Sequence, residues 1–382
     1  MRFLTAGESH GPSLSVIVEG CPAGLPLTEG FINEQLARRQ LGAGRGARQR
    51  IERDRALILS GVRRGETLGS PIAMLVTNRD HANWQETMAT GEREGAADRL
   101  FTVPRPGHAD LAGALKYERR DCRDILERAS ARETAARVAA GSVSRRLLEE
   151  AGIHIGSCVT GVGGIQSPPA ETVSACRGLD PEMPMTDPGA ARQVREAIRA
   201  AAADGDTLGG SVCILAEGVP PGLGSHVHWD RRLDAKLGAH LFSIPSVKAV
   251  ELGAGVRVSE RRGAEAHDAV YYDVQRGFYR KTNRAGGVEG GISNGETIAV
   301  TAYLKPLSTL MKPLDSVDIR TKRAAKAQKE RSDVCAVPAA AVIGEAVLAL
   351  CLAEALLEKV GGDSLGELLR NLEQYKLQVE RF

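Results

Sequence analysis

Residues 338–361 read PAAAVIGEAVLALCLAEALLEKVG. The stretch opens on Pro338, which suits the first turn of a helix because an amide hydrogen there would have no intrahelical partner, and it stops near Gly361. Its first half is apolar almost all round, with Ala339, Ala340, Ala341, Val342, Ile343, Ala346, Val347, Leu348 and Leu350 leaving no polar face. A helix of that kind is covered on several sides. It is not read as a membrane span, because Glu345, Glu354 and Glu358 interrupt it and carboxylates are costly in a bilayer.

A second helix reads from residue 130, SARETAARVAAGSVSRRLLEEAG. Ser130 and Glu133 have capping-box spacing: the Ser130 hydroxyl accepts from the Glu133 amide, and the Glu133 carboxylate reaches back to the Ser130 amide. The helix runs through Ala135, Val138, Ala139, Ser142, Val143 and Leu147 to a Gly152 stop. Its inner face is made of small residues, so it can lie close to another element. Two such helices between sheets would account for both patterns. Clusters of β-branched residues between turn signals place strands at 13–18, 57–59, 72–76, 211–216, 269–272 and 296–304. From Gly161 to Pro188, glycines and prolines mark a loop-rich region, followed by a helix over 188–203. No period of twenty to fifty residues repeats and no linker divides the chain. Residues 1–382 are therefore read as one α+β domain.

Composition narrows the function. The 382 residues carry 50 Lys+Arg against 48 Asp+Glu, a net charge of +2, without the basic excess of a dedicated nucleic-acid binder. Apolar residues make up 42% and charged residues 26%, the balance of an ordinary globular protein, and only 4% are aromatic, so aliphatic side chains must fill the core. The cysteines (Cys21, Cys122, Cys158, Cys176, Cys213, Cys335, Cys351) are odd in number and scattered, with no CxxC. That excludes a zinc ribbon and a disulfide framework and points to a reducing cytoplasm. The opening MRFLTAGESHG holds no apolar stretch of the kind a secretory signal needs.

Several segments carry chemistry. His10 stands between glycines in GESHGP (7–12), where its imidazole is approachable. Arg38, Arg39, Arg45, Arg48, Arg50, Arg53 and Arg55 cluster with Gly42, Gly44 and Gly46; guanidinium forks match phosphate and carboxylate oxygens. VPRPGHAD (103–110) is a stiff turn presenting Arg105 and His108. The helix start at Ser130 aims amides and a positive dipole end outward beside Arg132, a ready anion site. NRAGGVEGGISNG (283–295) resembles a backbone cradle but fits neither a Walker A loop nor GxGxxG. KPLST (305–309) follows a strand, and Asp333 closes a basic segment ending at Arg331. Each has an ordinary reading too: a surface histidine, a solvated face with ion pairs to Glu34 and Glu52, a plain turn or cap, a flexible loop, an Asp333–Arg331 ion pair. His226 and His228 share a loop but have no HExxH or carboxylate cluster beside them, so no metal set emerges.

Taken together, the segments resemble the chorismate synthase family. GESHGPSLSVIVEG (7–20), ERASARETAARVAAGSV (127–143) and RSDVCAVPA (331–339) match family signatures at the start, middle and end of the chain, with RRQLGAGR, PRPGHAD and GGISNG in order between them. The resemblance implies long helices sandwiched between antiparallel sheets, a β-α-β sandwich, in a homotetramer. It implies an anti 1,4-elimination of phosphate from 5-enolpyruvylshikimate 3-phosphate, in the shikimate pathway of aromatic amino acid biosynthesis. The reaction has no net redox change yet needs reduced FMN. By the same resemblance Arg39, Arg45, Arg105 and Arg132 hold the substrate's anionic groups, with Ser9 and Arg48 nearby. His10 protonates the departing phosphate, His108 protonates or polarises the reduced flavin, and Asp333 helps the flavin accept the C6 proton. The FMN positions are Ser130, Ala131 and Arg132, then Pro245 and Ser246, Gly290, Lys305, Pro306, Leu307, Ser308 and Thr309, and Arg331. Many relatives have Asn-Ala where Pro245-Ser246 stand, and proline offers no amide. Arg39 and Arg45 are assigned to NADPH in some members; here NADPH is expected to act only indirectly, with reduced FMN coming from an external flavin reductase. No nucleic-acid or membrane partner is expected. Two other readings remain: a flavin-dependent oxidoreductase acting on a phosphorylated acid, and an RNA-binding protein using the arginines of 38–55.

Overall fold

The computed structural model describes residues 1–46, 51–91, 100–330 and 332–382. Two antiparallel sheets face each other across a layer of helices. In the first, β1 (Arg2–Ala6), β2 (Ser13–Glu19), β3 (Ala56–Ile58) and β4 (Ile72–Thr77) lie in the order β1-β2-β4-β3. In the second, β5 (His154–Val162), β6 (Ile165–Gln166), β7 (Gly210–Glu217), β8 (Val247–Leu252) and β9 (Ile298–Leu304) lie in the order β8-β9-β7-β5-β6. The strands read at 13–18, 57–59, 72–76, 211–216 and 296–304 fall in these sheets. The one read at 269–272 is Val270–Asp273, half of a separate two-stranded hairpin. Strands β1, β5, β6 and β8 were not foreseen. β5 is HIGSCVTGV, in which Gly156, Ser157, Cys158 and Gly161 break up the β-branched residues, and it carries a bulge between Val159 and Gly161.

Of the helices, α1 (Glu29–Gln40), α2 (Asp110–Lys116), α3 (Arg123–Ala129) and α4 (Thr134–Glu150) precede the second sheet. Then come α5 (Pro188–Asp204), α6 (Leu233–Phe242), α7 (Val337–Val360) and α8 (Leu365–Glu380). Helix α7 lies between α4 on one side and β5 and β7 on the other, and α4 in turn packs on β2. By length and composition α7 could cross a membrane, but here it is the buried centre of the sandwich. The close approach rests on Gly141 of α4: a Cβ there would stand 2.6 Å from both the Cβ and the carbonyl oxygen of Ala346 on α7.

One charge is enclosed in this layer. Glu345 of α7 accepts from Arg38 of α1 (2.8 and 2.9 Å), Arg145 of α4 (2.6 Å) and the Ser157 hydroxyl of β5 (2.7 Å). It ties three helices to the second sheet. Burial would raise its pKa, but the two guanidinium charges and these hydrogen bonds hold it below the usual carboxylate value.

Two sequence readings change in detail. The capping box at Ser130 is not reciprocal: its hydroxyl accepts from the Arg132 amide at 3.3 Å, and Ala131–Glu133 form a 3₁₀ turn before α4 begins. The Glu133 carboxylate instead accepts from Arg137, one turn on, and from Thr5 of β1, stronger partners than its own cap. The glycines of 283–295 build a tight hairpin, with Gly290 and Gly291 at φ +60° and +85° in its turn. The Gly291 carbonyl accepts from the Leu233 amide at 2.8 Å, so the turn covers the start of α6.

Candidate active site

A cavity of about 410 Å³ opens where the layer meets the loops between the sheets. Chain segments far apart in sequence build it. The turn between β1 and β2 carries Ser9 and His10 and is pinned by Asn78, whose amide donates to the carbonyls of Glu8 (3.1 Å) and Gly11 (2.7 Å). The same Asn78 accepts from Arg132 Nε at 2.9 Å, so one side chain links the histidine turn to the start of α4.

Arg132 and Arg39 share a carboxylate. Asp54 accepts from Arg39 at 3.0 Å through one oxygen and from Arg132 through the other, and Glu52 lies 3.6 Å from Arg132. Arg39 also donates to the Thr134 hydroxyl (3.0 Å) and the Ala131 carbonyl (3.1 Å), fixing it to the helix start. Burial pulls the Arg39 pKa down to about 10; Asp54 opposes the fall, and Arg45 and Arg132 add to it. Arg39 stays charged at neutral pH, but the value records crowding of cations in a dry place.

Arg45 and Asp333 form the third element. Asp333 accepts from Arg45 Nη1 and from the Gly46 amide, both at 2.6 Å. Gly46 is required there, since a Cβ would stand 2.7 Å from the Ser332 carbonyl. The ion pair read between Asp333 and Arg331 cannot be compared, because Arg331 lies outside the described residues. Arg45 Nε is buried without a hydrogen-bond partner among the described residues.

The turn at 103–110 supplies Arg105 and His108, organised by Asp110. Asp110 accepts from the Arg105 amide (3.0 Å), from Arg105 Nε (2.9 Å) and Nη2 (3.1 Å), and from His108 Nδ1 (2.5 Å). Burial works against its charge, but the hydrogen bonds from His108 and Arg105 hold the carboxyl far below its ordinary value. The segment after β9 closes over this turn: Arg105 donates to the Thr309 hydroxyl (2.9 Å), Lys305 Nζ to the Ser308 hydroxyl (2.7 Å), and that hydroxyl to the Gly107 carbonyl (2.8 Å). Burial, with Lys248 nearby, lowers the Lys305 pKa. Ile244, Pro245 and Ser246, after α6, complete the wall, and the Ser246 carbonyl accepts from the Lys305 amide at 2.9 Å.

A sequence profile described as chorismate synthase matches residues 1–357. The chain belongs to the chorismate synthase family. It is 57% identical over 381 residues to the chorismate synthase of Moorella thermoacetica, covering 100% of this chain and 99% of that one. With the chorismate synthase of Symbiobacterium thermophilum the identity is 53% over 390 residues, covering 100% of both. A solved structure titled "Crystal Structure of Chorismate Synthase" superposes with a TM-score of 0.79 at 40% identity, covering 100% of this chain and 98% of the other.

Of the residues that the family resemblance singled out, the cavity brings together Ser9, His10, Arg39, Arg45, Arg105, His108, Ser130, Ala131, Arg132, Pro245, Ser246, Lys305, Leu307, Ser308, Thr309 and Asp333. Pro306 sits between two lining residues without lining the cavity itself. Gly290 is not among the lining residues but in the hairpin turn at the start of α6. Arg48 and Arg331 lie outside the described residues. The sequence reading passed over the carboxylates Asp54, Asp110 and Glu127 and the ring of Trp84. Asp110 and Glu127 stand inside the quoted motifs PRPGHAD and ERASARETA, and a carboxylate two residues from His108 was the available signal. For Asp54 and Trp84 there was none.

Proposed function

We propose that the protein catalyses the anti 1,4-elimination of phosphate from 5-enolpyruvylshikimate 3-phosphate, giving chorismate, with reduced FMN as cofactor. The observation that carries this reading is that two imidazoles and four buried or half-buried arginines from distant parts of the chain line one cavity. A guest with a phosphate and two carboxylates matches that inventory; an RNA surface does not. Of the described arginines of the 38–55 run, Arg38, Arg39 and Arg45 turn inward onto Glu345, Asp54 and Asp333, while Arg53 and Arg55 are exposed.

The cavity is compatible with a flavin beside the substrate. Its volume falls in the range of roughly 300–1,000 Å³ that suits cofactors and small ligands. Leu208, Leu304, Val337, Ala340 and Ile343 give it an apolar wall, and the orphaned Arg45 Nε awaits an acceptor. Ser130, Ala131, Arg132, Ser246 and Lys305 to Thr309 would hold FMN, with its phosphate taken by amides, hydroxyls and cations. When bound, reduced FMN supplies the electron-rich ring that this redox-neutral elimination depends on.

The chain's own contribution is binding, charge placement and proton handling. Arg39, Arg45, Arg105 and Arg132 neutralise the guest's oxygens in a site that excludes water, where fixed charge is worth most. In its imidazolium form, with hydrogens on both ring nitrogens, His10 delivers the Nε2 proton to the departing phosphate, and such general acid catalysis contributes about 10²–10⁴-fold. His108, as an imidazolium anchored through Nδ1 on Asp110, would present a second proton at Nε2 toward the cofactor, and Asp333 assists removal of the C6 proton. We further propose that the protein works as a homotetramer in the cytoplasm and receives its reduced FMN from a separate reductase.

The test is anaerobic incubation with 5-enolpyruvylshikimate 3-phosphate and chemically reduced FMN, following phosphate and chorismate. Equal release of both, over many turnovers per flavin reduced, supports the elimination. Stoichiometric consumption of reductant, or no chorismate at all, overturns it. His10→Ala and His108→Ala should fold normally and lose roughly 10²–10⁴-fold in rate, since each removes a proton carrier without touching the core.

A further inference from the structure

We propose that Glu127 is a positioning residue that fixes the tautomer and ring plane of His10, so that His10 exchanges protons with the guest only through Nε2. The inference rests on the elimination reading for its kinetic arm but not for its structural one. Glu127 projects from α3 and is 3% exposed. Its carboxylate accepts from the His10 backbone amide at 2.9 Å, and both its oxygens lie 2.9 Å from His10 Nδ1. Arg123, one turn earlier on α3, donates to Oε1 at 3.0 Å.

The tautomer follows from donor and acceptor chemistry. An ionised carboxylate only accepts, and a backbone amide and a guanidinium only donate. An imidazole nitrogen 2.9 Å from both oxygens of such a group must therefore carry a hydrogen, which leaves Nε2 to face the cavity. Glu127 is kept ionised: burial disfavours its charge, but the His10 ring, the His10 amide and Arg123 together hold its pKa below the usual range. The ring's remaining freedom is taken by Trp84, stacked on it with centroids 4.0 Å apart and planes 28° apart, while the Arg123 guanidinium covers the Trp84 ring at 4.9 Å. From the other side His81 Nδ1 donates to the His10 carbonyl at 2.9 Å.

Asp110 stands in the same relation to His108, but it also carries three hydrogen bonds from Arg105, so its removal would disturb a cation as well. Glu127 carries a single bond from a cation, Arg123, so its replacement disturbs less beside the ring. In Glu127→Gln the amide keeps the shape but adds two donor hydrogens where three donors already converge, so one of them must give way. The imidazole is the one free to re-tautomerise.

The experiment has two arms. In protein labelled with ¹⁵N-histidine, the His10 ring signals are identified by their loss in His10→Ala. Wild type should show Nδ1 protonated, and Glu127→Gln should move population to the Nε2-protonated form. Wild type with Nε2 protonated and Nδ1 bare overturns the proposal. In the kinetic arm Glu127→Gln should lower kcat by roughly 10–100-fold, part of the ~10²–10⁴ a placed acid supplies, with KM and thermal midpoint little changed. Glu127→Asp should recover part of the loss, and Glu127→Gln in a His10→Ala background should cost nothing further, because the residue acts through that ring. Wild-type kcat in Glu127→Gln, or a loss that adds in full to that of His10→Ala, also overturns it. If wild type forms no chorismate, the elimination reading falls, while the ring spectrum still decides the role of Glu127.

Discussion

Asp54 is a single buried carboxylate answering two guanidinium groups, and this sets the cost of removing it. With Asp54 neutralised, Arg39 and Arg132 would face each other, Arg132 keeping Glu52 at 3.6 Å. Breaking a buried ion pair by removing one partner costs about 3–5 kcal/mol, because the partner's charge stays buried. Asp54→Asn should therefore destabilise the protein by about that much, read from urea denaturation. Added substrate or inorganic phosphate should restore part of the loss by supplying the missing anion. A loss under about 1 kcal/mol would show that water already reaches the two arginines. The same geometry explains why the arginines were legible in the sequence and their partners were not. Arg39 and Arg132 stand in recognisable motifs, whereas Asp54 is fifteen residues from one and seventy-eight from the other. Only the fold makes them neighbours.

Among the elements, the contact of α4 with α7 puts two opposing effects on one residue. Alanine is a better helix former than glycine by about 1 kcal/mol, so Gly141→Ala should stabilise α4 considered alone. Its methyl group would stand 2.6 Å from both the Cβ and the backbone oxygen of Ala346, and a backbone atom inside a packed helix cannot swing aside. Overpacking of this kind costs about 1–3 kcal/mol and should win, lowering the urea midpoint; a raised midpoint would mean that the helices slide apart cheaply. Glu345, one residue away on α7, makes the same layer sensitive to acid. Its pKa is depressed from the ordinary value of 4.5, so its stabilisation is fully present above about pH 4.5 and fades as pH falls through the lower folded value. Glu345→Gln should flatten the dependence of stability on pH below 4.5, and should cost about 3 kcal/mol near neutrality by taking the buried anion from Arg38 and from Arg145, which keeps Glu149. An unchanged acid limb would show that other carboxylates set it. Helix α7 was readable because an all-round apolar surface has only one kind of home. The helix α1 that clasps it was missed, since its outward face is charged and only Ile32, Gln35, Leu36 and Arg39 are buried.

For the whole molecule, the sandwich could be anticipated from two helices, but how it meets its surroundings could not. Alternation along β2 and β4 sends Leu14, Val16 and Val18 with Ile72, Met74 and Val76 inward. That leaves Ile17 on the outer face between Leu4 of β1 and Ala73 of β4, and Leu57 of β3 beside Leu75 of β4. A band of apolar side chains thus crosses all four strands on the side away from the helices, with Leu4 71% and Leu57 52% exposed. Contiguous apolar surface on a sheet face marks a contact site, and the proposed homotetramer offers a second copy of the same face to cover it. Ile17→Lys places a charge at the centre of the band without altering the inward set. Sedimentation equilibrium should then report a species smaller than wild type, while circular dichroism stays the same. Activity should fall only if loss of the neighbour loosens the turn that carries His10, which begins a few residues away on β1. A variant that sediments as wild type does would place the subunit contact elsewhere, with the exposed hairpin of Tyr271, Tyr272 and Phe278 as the next surface to charge.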